Sequence, residues 1–132
     1  MTTAQTLIFR RCCVRFAVST VMLLSAIDAS ASEHLDVPFS LGRGWSTFES
    51  KCVECHGAEG GGTEKGPPLI HEYYVPSHHS DAAIERAILH GAKQHHWSFG
   101  DMPAIGGISE VEAQQVVAFV RWLQTKKGLL SK

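Results

Sequence analysis

Cys52-Val53-Glu54-Cys55-His56 puts two thiols three positions apart, with an imidazole directly after the second. This is the attachment unit of a c-type haem. Each sulfur can form a thioether with one haem vinyl group, and the adjoining imidazole can reach the iron. The short spacing suits two vinyls on one edge of the macrocycle. A haem brings redox chemistry, so these five residues speak to function as well as to structure.

Upstream of the motif, Arg10, Arg11 and Arg15 precede an apolar run at 16–27, and Ala29-Ser30-Ala31 follows it. A basic region, a short hydrophobic region and small residues at a cleavage position make a secretory signal. The run falls short of the roughly 20 residues of a membrane-spanning helix, so no permanent span is expected after cleavage. Cys12 and Cys13 stand after Arg10-Arg11 where a twin-arginine signal has other residues, which favours the general export route to the periplasm. Cleavage after Ala31 removes those two cysteines and leaves Cys52 and Cys55. A disulfide scaffold and a four-cysteine zinc site are thereby excluded. The chain of 132 residues carries a net charge of −1, which suits one domain and gives no reason to expect nucleic-acid binding.

The expected organisation is a signal at 1–31, an extended lead-in at 32–41, one domain at 42–128 and a tail at 129–132. Three helices are predicted. The first covers 42–55, with Gly44, Trp45, Phe48 and Cys52 at helical spacing. The second covers 81–90: Ser80 or Asp81 caps it, Ile84, Ala87 and Ile88 form its stripe, and Gly91 ends it. For the third, Ser109 and Glu112 make a capping box, Val116, Val117, Phe119, Val120 and Leu123 an apolar face, and Gly128 a stop. No stretch alternates as a strand does, so the fold class is all-α. About a hundred residues make a small core, and a buried cofactor would add apolar contact.

With His56 on one axial position of the iron, Met102 is the candidate for the other. Only Met1 and Met22 accompany it in the sequence, both within the signal. Pro103 after it biases its backbone toward an extended conformation. A thioether favours ferrous iron, raises the reduction potential and closes the iron to small ligands.

On these residues the chain resembles the small bacterial class I cytochromes c, over about 42–128. Gly44 and Phe48 look like the glycine and aromatic of that family's first helix, and Phe119 like the aromatic that packs across the glycine. Gly66-Pro67-Pro68-Leu69 resembles the loop in which a proline carbonyl accepts the ligand histidine's free ring N–H. By that resemblance the Pro67 carbonyl orients His56. Trp97 is placed like the tryptophan whose indole meets a haem propionate. The resemblance implies three main helices and loops around one haem c, held covalently by Cys52 and Cys55 and axially by His56 and Met102. It implies a one-electron carrier, or a haem subunit of a dehydrogenase or oxidase system, either monomeric or within a complex, with redox proteins as partners.

Four histidines depart from the family pattern. His78, His79, His95 and His96 read as solvated surface, with three sharper alternatives: a propionate neighbour that links potential to pH, a copper or zinc site, or a histidine in place of Met102 on the iron. Trp45 and Trp122 read as packing aromatics. Glu49, Glu54, Glu59 and Glu64 read either as a docking face for a basic partner or as scattered surface charge. The alternative functions are a peroxidase-like haem enzyme and a ligand sensor, both of which need an open sixth iron position. A thiol oxidoreductase is excluded because no βαβ pattern surrounds the two cysteines.

Overall fold

The computed structural model describes residues 35–131. The expected signal at 1–31 therefore lies outside the described residues. A 3-10 turn at Phe39–Leu41 leads into α1 (Gly42–Lys51) and the short α2 (Val53–His56). A second 3-10 turn at Glu72–Tyr74 precedes α3 (Asp81–His90) and α4 (Glu110–Lys126). The described residues contain no strand, only the isolated bridges Thr63–Gly66 and Ala92–Met102. The fold is all-α.

Two local features differ from the sequence reading. The lead-in is not extended to its end, because Pro38 at φ −55° starts a turn that the Leu41 N–H closes onto its carbonyl. The first helix is also broken. Cys52 sits at φ −119°, far from a helical value, and divides the expected 42–55 helix into α1 and α2.

α4 is the central element and packs against both α1 and α3. Its crossing with α1 depends on Gly44, because a Cβ there would lie 2.0 Å from the Gln115 carbonyl oxygen and 3.3 Å from Phe119 Cβ. The backbones approach closely at that point, and one turn later the Phe48 and Phe119 rings meet at 5.2 Å, tilted by 53°. Both phenylalanines and Leu123 are completely buried. Burial of each side chain contributes roughly 1.5–3 kcal/mol, which makes this crossing the main apolar anchor of the domain. Trp45 and Trp122 are packed against the same cluster.

The capping box of α4 is complete. Ser109 Oγ accepts from the Glu112 N–H at 3.2 Å, and the Ser109 N–H donates to the Glu112 carboxylate at 2.9 Å. The bonds from the Ser109 backbone and hydroxyl hold the Glu112 carboxyl below its ordinary pKa. Because the folded value is depressed, this contribution is present above the ordinary 4.5 and is lost as pH falls through the lowered value. Ser109→Ala is expected to destabilise the haem-loaded protein by about 1 kcal/mol at neutral pH. The deficit should shrink in acid, and denaturant midpoints at the two pH values would reveal it. A deficit unchanged well below pH 4.5 would contradict the coupling.

Candidate haem site

Cys52 is buried and Cys55 half-buried, and both are free thiols. Burial pushes the Cys52 thiol up to about 11, with Lys51 opposing part of the rise.

The chain after the motif doubles back over it. Gly57, at φ +76°, ends α2 in a conformation that favours glycine, and the Gly62 N–H then closes onto the His56 carbonyl at 2.8 Å. Thr63 Oγ1 donates to the Cys55 carbonyl at 2.8 Å. The returning strand of loop lies directly on the motif, since a Cβ at Gly66 would come within 2.8 Å of Cys55 Cβ. One residue further on, the Pro67 carbonyl accepts the His56 Nδ1–H at 2.9 Å. That bond fixes the tautomer and leaves Nε2 with its lone pair for a metal. Burial lowers the His56 pKa and the bond to Pro67 only partly restores it, so the imidazole is held in the neutral, ligating form.

Met102 stands on the loop that follows α3. Gly91 ends α3 at φ +79°, and a Cβ there would lie 2.6 Å from the Met102 carbonyl oxygen. Ala92 and Met102 exchange both backbone hydrogen bonds at 2.9 Å. The loop between them is tied at its neck by Asp101, which takes Lys93 Nζ at 2.6 Å and the Gln94 N–H at 3.1 Å. The Lys93 ammonium, followed by the Gln94 N–H, holds the Asp101 carboxyl below its usual range. This tied loop carries His95, His96 and Trp97 together with Met102.

Cys52, Cys55, His56, Pro67, Trp97 and Met102 all line one cavity of about 880 Å³. Ile84, Ile88, Val116 and Val120 give it apolar walls. Its volume is at the upper end of the roughly 300–1,000 Å³ of cofactor pockets. Trp97 Nε1 is buried without a well-aligned hydrogen-bond partner. The Tyr74 phenol lies near enough that the indole offsets part of the rise that burial imposes on its pKa. A buried N–H left unpaired costs roughly 1–3 kcal/mol, and a haem propionate is an acceptor that would satisfy it. Two thiols, a bare imidazole nitrogen, a thioether and an orphaned indole N–H are the donor set that a c-type haem needs.

Two residues that support the site gave no motif-level signal. Gln124 is completely buried on α4 and donates to the carbonyls of Leu69 at 2.9 Å and Tyr74 at 3.1 Å. Arg121, one turn earlier, donates to the carbonyls of Tyr74 and His79, each at 2.5 Å, and pairs with Asp81 at 2.7 Å. Together they staple the loop after Pro67 to α4. In sequence they stand among the polar residues of an amphipathic helix, and only their inward position gives them this role. The acidic residues are partly spent in pairs: Glu54 with Lys65 and Glu59 with Lys127.

An all-helical domain with this cavity is a c-type cytochrome. Residues 40–120 match the family model described as cytochrome c oxidase, cbb3-type, subunit III, and the chain belongs to that family. No curated protein matches the chain. Membership makes this a protein with covalently bound haem c that transfers electrons to and from redox partners. Among the described residues no helix is long and apolar enough to cross a membrane.

Proposed function

We propose that the protein is a periplasmic monohaem one-electron carrier, exported by a signal at 1–31 and functional as the domain at 42–128. Cys52 and Cys55 carry the haem, His56 and Met102 hold its iron, Pro67 orients His56, and Trp97 bonds a propionate. When bound, the haem supplies a ferric/ferrous couple that changes charge with little ligand rearrangement. The protein residues exclude water with Ile84, Ile88, Val116 and Val120, keep His56 neutral, and hold Met102 on a tied loop. The observation that carries this reading is the convergence of two thiols, a Pro67-oriented imidazole and a methionine on one cavity.

A second reading is favoured by the family description, which names an oxidase subunit. On that reading the same domain passes electrons as the haem subunit of a larger complex, and its weak surface contacts are replaced by a permanent interface. Co-purification of the exported protein at native abundance separates the two.

One measurement tests the site and the export together. Intact mass of the exported protein, with visible and near-infrared spectra in both redox states, is expected to give a chain beginning at Ser32, one covalent haem and a methionine–ferric iron band. A missing near-infrared band with ready cyanide binding would favour a peroxidase-like enzyme or a ligand sensor.

A further inference from the structure

Four histidines that the haem site does not use line the same cavity, and their ring nitrogens face one another in pairs. His78 Nε2 lies 3.0 Å from His96 Nε2, and His79 Nε2 lies 3.3 Å from His95 Nε2. The ligating atoms of His78, His79 and His96 all fall within 4.8 Å of one another.

The hydrogen bonds behind these rings decide what can lie between them. His79 Nδ1 meets the Tyr73 carbonyl at 2.5 Å, and His95 Nδ1 meets the Lys93 carbonyl at 2.8 Å. A carbonyl only accepts, so both Nδ1 atoms donate, and in the neutral rings both Nε2 atoms carry lone pairs. The contact between those two atoms then has no proton of its own. It needs a shared cation, either a proton that charges one of the rings or a metal ion. A carbonyl on Nδ1 with Nε2 turned inward is also the arrangement that orients histidines on metals.

Zinc–nitrogen bonds of about 2.0–2.1 Å at tetrahedral angles put neighbouring ligand atoms about 3.3–3.4 Å apart. The corresponding distances are 3.0 Å between His78 and His96 and at most 4.8 Å across the three imidazoles. The imidazoles are also held from behind. Arg121 and Gln124 staple the backbone that bears His78 and His79, and Asp101 ties the loop that bears His95 and His96. Tyr73 stacks on His96 at 4.3 Å and fixes its plane.

We propose that His78, His79 and His96 form a binding site for a divalent metal ion of the zinc type. The site is separate from the iron ligands and does not depend on the electron-carrier reading. Neutral imidazole is a ligand suited to zinc, and a set of three nitrogens leaves the fourth position of a tetrahedral ion to water.

The test is a titration of the haem-loaded protein with Zn²⁺ at neutral pH against a chromophoric chelator, followed by gel filtration and metal analysis. One equivalent is expected to stay with the protein. His79→Gln and His96→Gln are each expected to weaken binding at least about tenfold. His90→Gln, a histidine outside the cluster, is expected to change nothing. An unaltered visible spectrum in each variant certifies that the haem site is intact. Absence of retained Zn²⁺ in the wild-type protein would overturn the proposal, and so would retention of several equivalents. Equal losses in His90→Gln and His96→Gln would overturn it too. Because wild-type stoichiometry is decisive, the test stands even where a variant loses its haem.

Discussion

Replacing Met102 with alanine is expected to lower the haem reduction potential and to open the sixth position of the iron. The thioether is a soft ligand that stabilises ferrous more than ferric iron, so its loss favours the ferric state. Axial ligation spans roughly 0.8 V across haem proteins, and a drop on the order of a hundred millivolts or more is expected here. The change should stay local. The backbone of residue 102 is held by its two hydrogen bonds to Ala92 and by the close approach of Gly91, none of which uses the side chain. Redox titration, the near-infrared band and cyanide binding measure the effect. A variant with an unchanged potential and an unchanged near-infrared band would remove Met102 from the iron, and one of the neighbouring histidines would then become the candidate.

The largest expected loss of stability comes from adding a single methyl group at Gly44. Alanine has a higher helix propensity than glycine by about 1 kcal/mol, so Gly44→Ala would stabilise α1 if nothing opposed it. The structure reverses the sign. The new Cβ would stand 2.0 Å from the carbonyl oxygen of Gln115 and 2.6 Å from its carbon. Both are backbone atoms of α4, which cannot rotate away as a flexible side chain would. The helices must separate, and the tilted Phe48–Phe119 pair and the burial of Leu123 go with the contact. Overpacking alone costs roughly 1–3 kcal/mol, and the lost crossing brings the expected penalty to at least about 3 kcal/mol. Against a total stability of roughly 5–15 kcal/mol this is a large fraction. Denaturant unfolding of the haem-loaded protein would measure it. A midpoint equal to or above the wild type would show that α1 and α4 do not cross at this glycine.

Much of the fold was legible because its signals are local. The capping box at Ser109 and Glu112 and the apolar face behind it located α4 to within a residue or two. Ser80 and Gly91 bounded α3 in the same way. The break at Cys52 was not legible. Its neighbours keep helical periodicity, and the departure is a single backbone angle, φ −119° at Cys52. The turn after Pro38 was missed because three residues are too few to show a period.

The site divides along the same line. The spacing of Cys52, Cys55 and His56 is covalent-scale chemistry, and five consecutive residues carry it. Gln124 and Arg121 carry no such mark. Their role depends on which side of α4 faces the loop from Leu69 to His79, and on carbonyls that have no sequence signature. The four histidines were visible as two pairs, but nothing in their spacing indicated that the pairs would meet. His78 and His96 are separated by 18 positions.

The amino-acid sequence by itself determined that this chain carries a c-type haem motif at Cys52-Val53-Glu54-Cys55-His56, folds as helices, and offers Met102 as the candidate second axial ligand. Those properties follow from short-range chemistry: bonding reach, capping and periodicity. Only the tertiary structure decided that Cys52 breaks the first helix, that Gln124 and Arg121 hold the loop after Pro67, and that His78 meets His96 and His79 meets His95. The last two are contacts between segments far apart in the chain. They are set by how the loops fold back over the motif, which no local pattern encodes.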